Sequence, residues 1–268
     1  MKQKRKLRRK PKNYFESYKL NKPPIHTGEK INESLLKSYL DPYIQGIINC
    51  LNLLTNAIEM HPTLELEQVE DSNKVVQLLL MKSVNDLRSL WLLSKKGYSI
   101  QAADLAGSLY ESFIQINYIA NNNELAREWI EHSNPKRLPD NVYNYTKAVF
   151  DKIAPEHPEL TNTFYSVYSE LCKAKHGNPL LLKNHFYKIE GDTLIADYGP
   201  ELSRESIKLT CYSICWSIRF MIISINSFIN SHLAKYDLSF EELKSQHDSV
   251  YEYYEYIYKL YSETWSNT

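Results

Sequence analysis

The sequence predicts an all-α fold, a multi-helix bundle with one small β-hairpin insertion. Three observations predict it. Apolar residues recur every three or four positions through the long segments of the 268-residue chain, the period of one helix face. Glycine is scarce, seven in all, about a third of the usual share. That scarcity argues against a turn-rich β fold and against a nucleotide enzyme built on glycine loops. One stretch, near residues 184–197, switches to alternation.

A hydrophobic share of 43% and a charged share of 24% fit a water-soluble domain with a sizeable core. The net charge is zero but unevenly spread. Residues 1–30 carry eleven Lys or Arg and two Glu, whereas the rest carries 21 basic and 30 acidic residues. The opening MKQKRKLRRKPK has no apolar run behind it, so it does not read as a signal peptide. Residues 1–30 are read as a basic, flexible arm. Lys4, Arg5, Lys6, Arg8, Arg9 and Lys10 are its candidate nucleic-acid contacts, because clustered cations release counterions from phosphate backbones. The bland alternative is a solvated tail, or a clamp onto the acidic body. The string HTGEK within the arm has no Cys/His finger beside it and is read as chance.

Residues 31–238 are expected to form the bundle. INESLLKSYLDPYIQGIINCLNLLTNAIEMHP reads as a short helix, a break, then a longer helix. Asp41 would cap the second and Pro42 would take its first position, with Ile44, Ile47, Ile48, Leu51 and Leu54 inward. TLELEQVED reads as a loop or helix lead-in. In NKVVQLLLMKSVNDLRSLWLLSKKG, Val76, Leu80, Val84, Leu87 and Trp91 make one apolar face, widened by Leu79 and Leu90. Lys95, Lys96 and Gly97 suit its C-terminal end.

Ser99 is expected to cap the next helix, with Ala102, Leu105, Leu109, Phe113, Ile116 and Ala120 inward. A second stripe on it is polar: Asp104, Gly107, Glu111, Gln115, Tyr118. Glu111 reads either as an ordinary solvated carboxylate or, beside a close-packed Gly107, as a paired one. A short helix after Asn123 holds Arg127 and His132. PDNVYNYTKAVFDKIAPEHP is a second short amphipathic helix, ended at Pro155. Pro158 opens the helix whose apolar face is Leu160, Phe164, Val167, Leu171 and Ala174. His176 falls at its C-terminal end, where the helix dipole favours a cation. The bland reading of His176 is a capping group.

HFYKI and TLIAD, around Glu190-Gly191-Asp192, form the expected hairpin, a candidate lid over His176. The most apolar segment follows, with Ile207, Cys211, Ile214, Ile218, Ile222, Ile225 and Ile229 as its stripe. Arg219, Asn226 and many serines argue against a membrane span. A buried Arg219 needs a partner, and Glu111 is one candidate. Residues 239–268 form a Tyr-rich helix with Ser239 and Glu242 as a capping box. Its stripe of Val250, Tyr254, Ile257, Tyr261 and Trp265 docks on the bundle or forms a dimer face. The spacings Cys172…His176 and Cys211…Cys215 would hold zinc if they faced each other. Buried helical cysteines are commonly just small apolar residues, so no metal and no cofactor are expected. Four thiols without a secretory framework fit a cytoplasmic protein.

GYSIQAADLAGSLYESFIQINYIANNNELAREWIEH, followed by YSELCKAKHGNP and the hairpin, resembles an uncharacterised bacterial all-helical family, itself similar to HEPN-type helical domains. The resemblance spans residues 72–233. It rests on Glu111, Tyr118, Ile119, His176 and Gly177. Arg127 and His132 match the short form of the HEPN ribonuclease motif. Two positions depart: Gly107 stands where such families often have Arg, and Cys172 where a Ser usually stands. No Arg precedes His176 at motif spacing. The resemblance implies a toxin or phage-defence setting, and RNA rather than DNA as the partner. It implies a metal-independent ribonuclease, with His176 or His132 as acid/base, Arg127 on phosphate and Glu111 in the site. The alternative is a non-catalytic module that uses the arm for nucleic acid and the last helix for a second copy or a defence-system partner.

Overall fold

The computed structural model describes residues 25–60, 66–131, 141–178, 181, 187–190, 193–196, 199–236 and 241–265. Eight α-helices build a bundle among these residues. Helix α1 (Ile25–Glu59) runs unbroken for 35 residues with Pro42 inside it. The break at Asp41-Pro42 is therefore not formed. An interior proline costs roughly 3 kcal/mol. One buried stripe, Leu36, Leu40, Tyr43, Ile44 and Ile47, spans the proline and keeps both halves on the core. The Pro42 carbonyl also accepts a hydrogen bond from Tyr253 Oη at 3.0 Å. Residues 25–30, assigned to the arm from sequence, belong to this helix.

Helix α2 (Asp71–Lys96) lies antiparallel to α1. Lys96 and Lys95 at its end pair with Glu29 (2.8 Å) and Glu33 (2.6 Å) near the start of α1. Val76, Leu80 and Leu87 of the expected face are fully buried, joined by Val75, Leu79 and Leu90. Gly97 closes α2 at φ 89°. Its N–H donates to Ser94 O, and that of Tyr98 to Leu93 O, the double bond of a left-handed helix stop.

Helix α3 (Ser99–Ile119) starts at Ser99 itself. Tyr98 holds the cap position without a side-chain cap bond; its hydroxyl instead donates to Glu29 at 2.9 Å. Helices α4 (Asn123–Glu131), α5 (Val142–Ile153) and α6 (Glu159–Lys175) follow. Asn141 caps α5 by accepting from Tyr143 N at 2.8 Å. Strands β1 (Tyr187–Glu190) and β2 (Thr193–Ala196) pair antiparallel, Tyr187 opposite Ala196 and Glu190 opposite Thr193. Their side chains, and residues 191–192 between them, lie outside the described residues, and with them the lid expectation.

Helix α7 (Arg204–Ser231) is the hub, packing against α1, α2, α3 and the last helix. Phe220 stacks on Phe113 of α3, ring centroids 5.5 Å apart, and meets Tyr110 edge-on at 5.1 Å. Segment Arg204–Lys235 has the length and mean hydropathy (1.3) of a membrane span, yet 72% of that window is buried inside the bundle. Its serines fit because Ser213, Ser224 and Ser231 each donate to the carbonyl four residues back, which satisfies a hydroxyl without a partner helix. Helix α8 (Glu241–Trp265) docks across α1 and α7. Val250, Tyr254, Ile257 and Trp265 of its stripe are buried there. Ser239 lies outside the described residues.

Candidate functional site

Glu111 lies midway along α3, and α6 brings two partners to it. Tyr168 and Lys175 are seven residues apart, so they rise on one face of α6, two turns from each other. Tyr168 Oη donates to Glu111 Oε1 at 2.9 Å, and Lys175 Nζ approaches the same oxygen at 2.7 Å. Glu111 is thus a paired carboxylate, with both ionic side chains about a third exposed (34% and 32%). Gly107, one turn earlier, is buried against α6, but a Cβ there would meet Leu171 Cβ at an ordinary 3.9 Å. The glycine is not required by the packing.

The ring of Tyr168 stacks on Tyr110, centroids 4.7 Å apart. The Tyr110 hydroxyl bonds Thr146 Oγ1 at 2.6 Å, which ties the cluster to α5. Burial pushes the Tyr168 hydroxyl well above its ordinary pKa; contact with Cys172 and the Glu111 charge add to the rise. Burial raises the Cys172 thiol as well, against a lowering hydrogen bond with Tyr168. Cys172 is therefore a neutral thiol at neutral pH, not a prepared nucleophile.

His176 caps α6 directly after Lys175. Its backbone N–H donates to Cys172 O at 2.9 Å, Gly177 takes φ 61°, and Asn178 N returns to Lys173 O. The helix ends there because these bonds satisfy its last carbonyls. The imidazole is exposed and makes no hydrogen bond among the described residues.

Arg127 is held elsewhere. Its Nε lies 3.3 Å from Asp71 Oδ2 at the start of α2, and its side chain is 62% exposed. The structure gives Arg127 and Glu111 separate partners on separate helices. His132 and the six candidate arm residues from Lys4 to Lys10 lie outside the described residues. Arg219 does not reach Glu111 as conjectured. Its guanidinium lies over the rings of Tyr251 and Tyr254 on α8, at 5.2 and 5.3 Å. The two Cys pairs also do not face each other. Cys211 meets Tyr43 and Cys215 Sγ lies 4.0 Å from Ile257 O, whereas Cys172 lies beside Tyr168. Among the described residues no group of three or more His, Cys, Asp or Glu side chains is placed to hold a metal ion.

Tyr168 and Lys175 were not singled out from sequence. The available signal was their spacing with Cys172, at i, i+4 and i+7 on one face beside the apolar stripe. A family of unknown function, DUF5677, matches residues 73–140. The match takes in Glu111 and Arg127 and stops short of α6 with His176. No curated protein and no solved structure matches the chain.

Proposed function

We propose that the protein is a cytoplasmic, nucleic-acid-linked module, in which the N-terminal arm holds RNA and the helical bundle serves binding and assembly rather than catalysis. The observation that carries the reading is the segregation of charge: eight of the first twelve residues are basic, in a chain whose net charge is zero. A strand of phosphates is the partner that such a run holds best. The pairing of Glu111 with Lys175, and of Arg127 with Asp71, supports a non-catalytic bundle. Each of these groups already has its counter-charge.

The test compares RNA binding by the full chain and by a chain lacking residues 1–12, across a salt series. Affinity should fall steeply with salt for the full chain and be largely lost on deletion. Equal binding by both chains would overturn the reading. A second reading, a metal-independent endoribonuclease of the toxin or phage-defence kind, is favoured by the exposed His176 ring beside Lys175. RNA cleavage in the presence of chelator, abolished in His176→Ala, Arg127→Ala or His132→Ala, would establish it. Intact RNA throughout would leave the binding module.

A further inference from the structure

A cleft of about 460 Å³ opens where α3 ends, between α5, the start of α6 and the outer half of α7. That volume lies in the range of small-molecule sites. Phe150, Phe164 and Ile223 are among its apolar walls, and Lys152 and Arg219 bring two positive charges. No Asp or Glu lines it among the described residues. Lys152 Nζ donates to the backbone carbonyl of Ala120 at 2.9 Å, which occupies one of three donors and leaves the charge uncompensated. Arg219 has its guanidinium over the rings of Tyr251 and Tyr254. A guanidinium carries five N–H donors, more than two ring faces occupy.

Asn117 is the independent sign of a ligand. It is 1% exposed and lines the cleft. Its Nδ2 donates to Phe113 O at 2.8 Å, while its Oδ1 is buried with no donor among the described residues. The amide cannot simply be turned over, because that would set its oxygen against the Phe113 carbonyl. A buried acceptor without a donor costs about 1–3 kcal/mol. The cleft therefore presents two cations and an apolar wall, and its lining includes Asn117, whose Oδ1 has no donor among the described residues.

We infer that this cleft binds a small organic anion: a carboxylate or phosphate held by Arg219 and Lys152, on an apolar body that carries a donor for Asn117. None of the Glu111 cluster lines this cleft, and the inference stands whether or not the chain binds RNA.

The test is calorimetric titration of the full chain with adenosine 5′-monophosphate and with 4-hydroxyphenylacetate. Their uncharged counterparts, adenosine and 4-hydroxyphenylethanol, are titrated in parallel. At least one anion should bind at a single site, about tenfold or more tighter than its counterpart. Arg219→Gln should weaken that binding about tenfold or more. Binding of the first anion alone identifies a phosphate site, and of the second alone a carboxylate site. Asn226→Asp places a repelling charge at an exposed position on the wall and serves if Arg219→Gln fails to fold. The inference is overturned if neither anion binds, if the uncharged counterparts bind equally well, or if the variants that fold bind as the parent does.

Discussion

Lys175 Nζ lies 2.7 Å from Glu111 Oε1, and this contact ties the last turn of α6 to the middle of α3. The pair is about a third exposed on each side, so water screens it. Coupling of this kind contributes about 1 kcal/mol or less. A double-mutant cycle of Glu111→Gln and Lys175→Met, read by urea unfolding, should return a coupling below about 1 kcal/mol. A much larger value would mean that the pair locks α6 in place.

Three glycines should respond to alanine in different ways. Gly107→Ala meets only Leu171 Cβ at 3.9 Å inside a helix, and should stabilise by about 0.5–1 kcal/mol. Gly97→Ala combines φ +89° with an approach of 2.9 Å to Glu201 O, and should destabilise by about 1 kcal/mol or more. Gly46→Ala would come within 2.9 Å of Ile218 Cδ1 and 3.0 Å of Ile257 Cδ1. It should also destabilise, because α7 and α8 must shift to make room. Thermal melts of the three variants check the order; a destabilised Gly107→Ala would contradict the α3–α6 geometry.

Acid should loosen the ion-paired ends of the helices. Hydrogen bonds from Lys96 and Tyr98 hold Glu29 below the usual carboxylate range, and Lys95 does the same for Glu33. Lys235 lowers Glu70; Lys74, with Arg127 adding to it, lowers Asp71. A carboxyl with a depressed folded-state pKa stabilises the fold above its unfolded value, near pH 4, and loses that contribution as pH falls through the folded value. The urea midpoint should therefore be flat above about pH 5 and decline below about pH 4. Glu29→Gln combined with Glu70→Gln should make the decline shallower. An unchanged slope in that variant would remove these pairs from the account.

The thiols should be silent in the folded protein. Burial pushes Cys50 and Cys211 up to about 12, and raises Cys172 and Cys215 as well. Thiolates are the reactive form. A thiol reagent at neutral pH should label none of the four in the native chain and all four in denaturant. Rapid native labelling of Cys172 would show that the α6 face opens readily.

The elements that were legible in the sequence are those set by near neighbours. The stop at Gly97 needs only a residue free to take positive φ, and the apolar period of α2, α3 and α7 is written in the order of residues itself. Pro42 misled because its local rule is real but weaker than the stripe from Leu36 to Ile47 that docks on the core. The site was half legible. Glu111 was recognisable as a carboxylate in a polar stripe, but its partners come from α6, 57 and 64 positions along the chain. Local spacing puts Tyr168 and Lys175 on one face of α6, but it does not say that this face meets Glu111. The contact of Arg219 with Tyr251 and Tyr254 depends on where α8 comes to rest, which the sequence leaves open between core and dimer face.

The hub of the bundle is made after most of the helices it joins. A ribosome makes α1 to α6 before any of α7 exists, so the α3 ring of Phe113 waits for Phe220. During that interval the early helices carry an uncovered apolar face, the state most open to sticking and to chaperone capture. Synthesis halted before Arg204 would leave a product that cannot finish folding. The bundle closes on itself only once α7 has been made.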